Sequence, residues 1–330
     1  MNSYAQIKIS FVTYGYTNND LFDINNPNHS RDNINYPYYY LKKTFAQHNI
    51  DLSTADLISP HQANIVLYYN IPKRLPTKAD KEKSFLLLHE PVVVSPRHGD
   101  SKNHDYFHKI FTWNDDLIDN KRYFKYLCPI EPVRNIVRDK ELRQKLCTSI
   151  SGYKSSRHPL ELYSKRIECI RWFEAYHPEA FEFYGQGWKN SSFFNRYIVR
   201  KPQFTSYKGA PSSKLEILRN YRFAICFENS QGLPGYITEK IFDCFFAGCI
   251  PIYWGAPNIT NYIPETCFID FRKFKNYDTL YDYITNMDEQ TYQTYRYNIE
   301  QFINGPDLLP FCSKSFAHAL VSPILEHLGL

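Results

Sequence analysis

The most chemically distinctive stretch of this sequence is a hydroxyl, a carboxyl and an amino side chain in a row. Thr238, Glu239 and Lys240 stand directly before the apolar residues Ile241 and Phe242. Threonine is a favoured N-cap, so a helix is predicted to begin here. A lysine in the first turn is poorly placed, because the positive end of the helix dipole lies there. Free backbone N–H groups, the dipole and the lysine together favour an anion such as a diphosphate.

Two carboxylates, Glu228 and Glu239, lie on or beside the loop that precedes this helix. Glu228 follows the apolar run Phe223–Phe227, which is typical of a parallel strand buried on both faces. Open α/β sheets bind ligands at the carboxyl ends of such strands. Each residue alone has an ordinary structural use, since a glutamate can serve the helix dipole and a lysine can simply be solvated. The combination is what predicts a ligand site.

The residues around this loop have the pattern of a strand, a helix and a second strand. Apolar side chains return at helical spacing over residues 241–246, and Gly248 stands where a left-handed C-cap is needed. Cys249–Trp254 is a second buried-strand candidate. The pattern predicts a right-handed βαβ unit with the charged residues at the start of its helix.

Three segments within residues 221–268 resemble a known family. They are Phe227–Ser230 (FENS), Gly235–Lys240 (GYITEK) and Ala247–Gly255 (AGCIPIYWG). This order is similar to the α1,3-fucosyltransferase signature of glycosyltransferase family 10, in which FENS is followed by Y-(V/I)-TEK and a strand of the (I/V)-P-(I/V)-x-x-G type.

The resemblance implies an α/β fold of the GT-B type, with two Rossmann-like domains that face each other across a cleft. Residues 1–145 would form the acceptor-binding domain and residues 146–330 the donor-binding domain. The implied reaction is inverting transfer of L-fucose from GDP-L-fucose to the 3-hydroxyl of GlcNAc or Glc in a β-linked glycan such as N-acetyllactosamine. The implied partners are GDP-L-fucose and an oligosaccharide acceptor. Two alternatives stay open: a transferase for another GDP- or UDP-hexose, and a non-catalytic module that binds a nucleotide sugar or a glycan.

The family signature also implies roles for single residues. Lys240 and Arg166 would hold the diphosphate beside the helix start at Thr238, with Arg157 and Arg171 as rivals of Arg166. Glu239 would face the positive charge that develops on the fucose ring. The nucleotide or sugar contacts would come from Tyr236, Asn229 and Glu228.

Glu90 is the candidate general base of the N-terminal half. It comes after the apolar run Phe85–Leu88 and is followed by proline. Family members have an acidic residue and a Ser-Pro or similar turn at this place, then an F-x-W-like strand, which Phe111–Trp113 matches in spacing. The serine after the acid is absent here. His89 and His98 are alternative bases, each interpreted as a surface histidine.

Composition limits the other classes of protein. The chain has 330 residues, 43% hydrophobic and 17% aromatic, enough for two cores. The net charge of +5 is spread along the chain, which argues against a nucleic-acid partner. Several of the eight cysteines lie in apolar segments, without a C-x-x-C pair, which favours a reducing compartment. We expect a cytoplasmic protein, with peripheral membrane association as an alternative, and no integral membrane segment, because the chain opens on polar residues and lacks a long apolar run.

No metal or other cofactor is expected, because Lys and Arg can neutralise a diphosphate in place of a cation. The pair Asp115–Asp116 is interpreted as a helix start. Along the remaining chain, Ile7–Tyr14 is a predicted strand, Gly15–Tyr36 a loop and Tyr126–Lys145 the interdomain linker. Strands and helices alternate after it, which predicts a parallel sheet covered by helices. The sequence does not indicate an oligomeric state.

Overall fold

The computed structural model describes residues 6–26, 31–132, 143–189 and 203–330. They divide into two compact units. The first contains residues up to Pro132 together with Leu233–Ile237 and Leu308–Leu330, and the second contains the residues between these segments. Each unit is built on one parallel sheet with helices. This confirms the predicted class of two Rossmann-like α/β domains, and their predicted facing across a cleft stays a prediction.

The first unit has a six-stranded sheet in the order β2-β1-β3-β4-β5-β6, in which all neighbouring strands are parallel. Its strands are β1 (Ile7–Val12), β2 (Ile50–Thr54), β3 (Ile65–Tyr69), β4 (Ser84–Leu88), β5 (Lys109–Thr112) and β6 (Tyr123–Lys125). Two helices of this unit are α1 (Tyr36–Ala46) and α2 (Ser101–His104). The edge strands β2 and β6 were not predicted. The first reads I-D-L-S-T, which is not a continuous apolar run, and the second has only three residues.

Successive residues of β4 point to opposite faces of this sheet, as the strand period of two requires. Phe85 and Leu87 join the core cluster that includes α1, whereas Leu86 and Leu88 join the cluster on the other face. Both faces are therefore buried, which is why this strand reads as an unbroken apolar run.

The second unit has a five-stranded parallel sheet in the order β11-β10-β9-β7-β8. Its strands are β7 (Lys145–Ile150), β8 (Phe181–Tyr184), β9 (Tyr221–Phe227), β10 (Ile250–Trp254) and β11 (Ile269–Asp270). Its helices are α3 (Tyr163–Tyr176), α4 (Lys214–Leu218), α5 (Glu239–Ala247), α6 (Tyr277–Thr285) and α7 (Glu289–Asn304). Chain order reverses between β7 and β9, so the topological switch point of this sheet lies there.

The last helix, α8 (Ser313–Leu328), returns to the first unit. Its buried residues Phe316, Leu320 and Ile324 are four apart and join the cluster that holds Leu41 and Phe45 of α1. The predicted division had placed residues 146–330 in one domain and did not foresee this return. The acceptor and donor roles of the two domains stay predictions. In the described part of the chain, no helix has the length and apolar character needed to cross a membrane.

Gly235 is held where a side chain does not fit. Its φ is +80°, and an added Cβ would lie 2.3 Å from the Trp113 carbonyl oxygen. Gly15 has a φ of +85° with nothing within 4 Å, so it is a matched control. We expect Gly15→Ala to lower the free energy of unfolding by about 1–2 kcal/mol through its backbone alone, and Gly235→Ala to lower it further. Urea unfolding measures both losses, and equal losses would contradict the close packing at Gly235.

Candidate active site

Helix α5 begins at the predicted N-cap, Thr238, whose backbone is extended (φ −113°, ψ −178°). Its side chain, however, makes no capping hydrogen bond. The Thr238 hydroxyl donates instead to the carboxylate of Glu228, with 2.8 Å between Oγ1 and Oε2. The Thr238 N–H also donates to Glu228, at 2.8 Å from Oε1. The threonine thus ties the start of the helix to the residue that follows β9.

Glu228 is fully buried, and its carboxylate is an internal anion that groups of the chain itself bind. Besides the two bonds from Thr238, it accepts one from the Lys240 ammonium, with 3.1 Å between Nζ and Oε2. Gly255 leaves the space for it, because a Cβ there would lie 2.6 Å from the Glu228 Cγ and 2.4 Å from the Tyr253 hydroxyl. Burial, followed by the nearby Glu228 charge, raises the pKa of Tyr253. The predicted contact of Glu228 with the nucleotide or sugar stays a prediction.

Lys240 lies between two carboxylates, at 3.1 Å from Glu228 and 3.8 Å from Glu239. Burial alone would lower the pKa of its ammonium, but these two charges outweigh burial and raise the pKa. Lys240 therefore stays cationic at neutral pH, although the helix dipole opposes it. The anion that compensates for its unfavourable place in the first turn comes from the chain itself.

Arg166 lies on α3 and is buried, with 5% of its surface exposed. Its guanidinium donates to the Phe227 carbonyl oxygen at 2.7 Å and to the Asn229 Oδ1 at 3.1 Å. The positive charge of Arg166 also repels that of Lys240 and acts to lower the pKa of the lysine. The two cations therefore lie close enough to interact electrostatically. The rival arginines, Arg157 and Arg171, are exposed. The structure thus brings Arg166, Asn229 and Glu228 to the same end of β9.

A pocket lies at the carboxyl ends of β7 and β9, at the switch point of the sheet. Ser149 and Ser151 line it from the end of β7, together with the three cations Arg166, Lys214 and Lys240. The carboxylate of Asp243 lines it too and pairs with Lys214. Because the lining cations outnumber this carboxylate, the pocket suits an anionic ligand. The pocket lies at the strand end where the sequence predicted a ligand site, and the binding of a ligand there stays a prediction.

Lys214 and Asp243 were not among the predicted site residues. The Lys214 ammonium lies 2.7 Å from Asp243 and 3.6 Å from Glu239. Burial would lower the pKa of Lys214, and the two carboxylates raise it. The spacing of Glu239 and Asp243 could have indicated this cluster, because residues four apart share one face of a helix. Glu239 is held between the ammonium groups of Lys214 and Lys240.

Tyr236 belongs to the first unit. Its side chain is 3% exposed, and its ring packs against Trp113 with 4.7 Å between the ring centroids. Its ring thus serves the core of that unit, and its predicted contact with the nucleotide or sugar stays a prediction.

Glu90 lies two residues beyond the end of β4 and is partly exposed. No hydrogen bond or ion pair of its carboxylate is found among the described residues. The rival bases are not fully exposed histidines, since His89 is partly exposed and His98 is buried. His89 bonds the Tyr126 hydroxyl at 3.0 Å and stacks on Tyr69, and His98 is 7% exposed with its Nδ1 at 3.0 Å from the Glu90 carbonyl oxygen. Among the described residues, the rings of His89 and His98 are therefore engaged in hydrogen bonds, whereas the carboxylate of Glu90 is not.

The two buried histidines of this region predict a pH dependence of stability. Burial lowers the pKa of His98 and of His104, aided by Arg97 and Arg122 respectively and opposed in part by the carboxylates of Glu90, Asp100 and Asp105. The unfolded chain takes up protons at these sites below pH about 6.5, whereas the folded chain takes them up only at lower pH. The free energy of unfolding is therefore highest above that pH and falls as the pH drops.

Urea unfolding at pH 7.5 and pH 5.5 measures this dependence. His98→Asn is expected to reduce the difference between the two pH values, and the control His61→Gln, at an exposed histidine, is expected to leave it unchanged. An unchanged difference in His98→Asn would contradict the assignment.

Within the described residues, no three His, Cys, Asp or Glu side chains are grouped so that they could hold a metal ion. Three features could take part in binding or catalysis. They are the cationic pocket, the buried carboxylate of Glu228 and the carboxylate of Glu90 after β4.

Comparison with known proteins supports the family resemblance of the sequence. Residues 142–299 match the C-terminal domain of glycosyltransferase family 10 (fucosyltransferase). An α-(1,3)-fucosyltransferase from Helicobacter pylori is 47% identical over 72 residues, which are 22% of this chain and 15% of that protein. The human GDP-fucose protein O-fucosyltransferase 3 is 22% identical over 269 residues, which are 80% of this chain and 50% of that protein. The matched segments thus span half or less of these relatives.

A crystal structure of an α1,3-fucosyltransferase with GDP superposes with a TM-score of 0.56 at 17% identity, covering 90% of this chain and 83% of that one. At this identity the likeness concerns the fold, which is the predicted GT-B type. The family prediction made from the FENS and YITEK segments is confirmed. The chain thus carries, over residues 142–299, the C-terminal domain of glycosyltransferase family 10, the fucosyltransferase family.

Proposed function

We propose that this chain transfers L-fucose from GDP-L-fucose to the 3-hydroxyl of GlcNAc or Glc in a β-linked glycan such as N-acetyllactosamine, with inversion at the anomeric carbon. The observation that carries the proposal is the pairing of Arg166 and Lys240 in the pocket at the switch point of the second sheet. A buried arginine and a lysine with 21% of its side chain exposed, beside the start of α5, suit the diphosphate of a sugar nucleotide. The family match supports fucose as the sugar.

In the proposed step, the acceptor oxygen forms a bond to C1 of fucose while the bond from C1 to the phosphate oxygen breaks. The electron pair of that bond leaves with GDP, and negative charge builds on the diphosphate. Arg166 and Lys240 stabilise this charge, and such preorganised electrostatic stabilisation is usually the largest contribution to catalysis. Glu239 would face the positive charge that develops on the fucose ring. Thr238 and Glu228 would keep the helix start and Lys240 in place.

The acceptor hydroxyl must lose a proton in this step, and we assign Glu90 as the general base that takes it. The observations that support this assignment all concern the first unit. The Glu90 carboxylate stands at the carboxyl end of a parallel strand, and the described residues make no hydrogen bond or ion pair to it. We further propose that transfer needs no metal ion, since the two cations can neutralise the diphosphate. A reducing, cytoplasmic location, or peripheral association with a membrane, stays part of the proposal and is supported by eight cysteines in the free form.

Turnover with a panel of donors tests the proposal. The purified chain is incubated with GDP-fucose, GDP-mannose, UDP-galactose or UDP-GlcNAc, each with and without EDTA, and release of the nucleotide diphosphate is measured. We expect turnover with GDP-fucose only, undiminished by EDTA. Turnover with another donor would make the chain a different hexosyltransferase. Binding without turnover on any acceptor would make it a nucleotide-sugar-binding module.

A panel of acceptors tests the linkage. N-acetyllactosamine and lactose offer a free 3-hydroxyl on GlcNAc or Glc, whereas the isomer with galactose on the 3-hydroxyl of GlcNAc offers a free 4-hydroxyl. The panel also includes a folded polypeptide, because the alignment with the human protein O-fucosyltransferase covers 80% of this chain. We expect product with the first two acceptors. Product with the isomer alone, or with the polypeptide alone, would overturn the proposed acceptor and keep the family assignment.

A further inference from the structure

The two residues His89 and Glu90 are bonded at every backbone polar group by side chains from other parts of the first unit. The Asn70 Oδ1 accepts from the His89 N–H at 2.9 Å and from the Glu90 N–H at 2.8 Å. The Trp113 Nε1 donates to the His89 carbonyl at 2.7 Å. The His98 ring bonds the Glu90 carbonyl at 3.0 Å. Backbone groups outside regular structure are usually satisfied in part by water, so four side-chain bonds on one dipeptide specify its position.

Asn70 makes two of these four bonds, and its own backbone is unusual. Its φ is +64°, a left-handed conformation that asparagine tolerates better than most residues. Its N–H donates to the Leu87 carbonyl oxygen at 2.8 Å. The residue therefore turns the chain sharply at the end of β3 and presents its side-chain oxygen to the backbone beyond the end of β4. A single acceptor that bridges two consecutive N–H groups fixes the plane of the peptide between them.

We propose that Asn70 is a positioning residue for Glu90. The inference rests on the proposed role of Glu90 as the general base. The bonds of Asn70, Trp113 and His98 hold the backbone of Glu90, while no described residue holds its carboxylate. A base must lie within hydrogen-bond reach of the acceptor hydroxyl, and a displacement of about 1 Å can cost about 100-fold in rate. Asn70 thereby acts on catalysis without touching the substrate.

The variant Asn70→Gly isolates the side-chain oxygen, because glycine adopts the same positive φ without strain. We expect kcat to fall by about 10- to 100-fold, while KM for GDP-fucose and the affinity for GDP stay unchanged. The matched control is Asn120→Gly, at an exposed asparagine with a φ of +55°, which is expected to keep the wild-type kcat.

Amide hydrogen exchange gives a readout that does not depend on activity. Exchange at the His89 and Glu90 N–H groups is expected to quicken in Asn70→Gly and to stay slow in Asn120→Gly. Faster exchange with an unchanged kcat would overturn the positioning role. If Glu90→Gln itself keeps the wild-type rate, the general base is misassigned, and the exchange data still report whether Asn70 holds the dipeptide.

Asn70→Asp is the second variant, because it keeps an oxygen acceptor and also tolerates the left-handed conformation. We expect it to retain most of the kcat of the wild type at high pH. A kcat as low as that of Asn70→Gly would contradict the proposal. Should Asn70→Gly fail to fold, a kcat of Asn70→Asp more than about 10-fold below that of the wild type would contradict it alone.

Discussion

Replacing Glu90 by glutamine is expected to slow transfer by orders of magnitude and to leave GDP binding intact. Glutamine has the same shape as glutamate and keeps the backbone bonds to Asn70 and His98, because these involve only the main chain. It cannot take the proton of the acceptor hydroxyl. Loss of a positioned base costs about 10²- to 10⁴-fold in rate, so kcat should fall within that range.

The measurement compares initial rates of GDP release at saturating GDP-fucose and acceptor with the affinity for GDP from titration calorimetry. Glu82→Gln is the matched control, because Glu82 is an acidic residue of the same unit with 74% of its side chain exposed. It should match the wild type in both measurements. A Glu90→Gln variant with the full rate would show that another group is the base. His89 would then be the next residue to replace, since it adjoins Glu90 in the chain.

The central βαβ unit could be predicted from the sequence because local and global signals agree there. The uninterrupted apolar run of β9 follows from burial on both faces of the sheet, and residues 223–227 of that run lie within the observed strand. Gly248 has the left-handed φ of +69° that its place after the helix predicted. The places of Glu228 after the strand and of Thr238 before the helix follow from the same signals, since a strand end and a helix start are visible in the sequence.

Other features depend on contacts that no local pattern encodes. The return of α8 to the first unit depends on the match between its apolar face and that of α1, more than 250 residues earlier in the chain. The burial of Glu228 depends on the missing side chain of Gly255, which directly follows the neighbouring strand β10. The bonds of Asn70 depend on the parallel pairing of β3 with β4. Each is a tertiary effect that overrides what the residue type alone indicates.

Lys240 and Glu228 allow the structural and the ligand-binding roles of the pocket to be separated. Lys240→Met keeps the length of the side chain and removes its charge, which leaves the buried carboxylate of Glu228 without its ammonium partner. Breaking a buried ion pair in this way costs about 3–5 kcal/mol of stability. The variant should also bind GDP about 10- to 100-fold more weakly, because a charge-assisted contact to the diphosphate is lost.

The double variant Lys240→Met/Glu228→Gln separates the two effects, because it also removes the charge that the first change leaves unpaired. Replacing both partners is far less costly than replacing one, so urea unfolding should show most of the stability restored. GDP affinity should stay low, since the cation is still absent. Lys273→Ala is the control in the same unit, because Lys273 pairs with Glu265 at the surface, where 60% of its side chain is exposed, and neither property should change.

Each outcome for the single and the double variant has a different meaning. A double variant that regains GDP affinity would mean that Lys240 acts only by holding Glu228 and the start of α5, and that Arg166 and Lys214 carry the diphosphate. A single variant of unchanged stability would mean that the buried carboxylate takes up a proton or is satisfied by Thr238 alone. If the single variant loses both properties and the double variant regains only stability, the ammonium group has two functions. It neutralises a buried glutamate in the free protein, and it contacts the diphosphate of the donor in the complex.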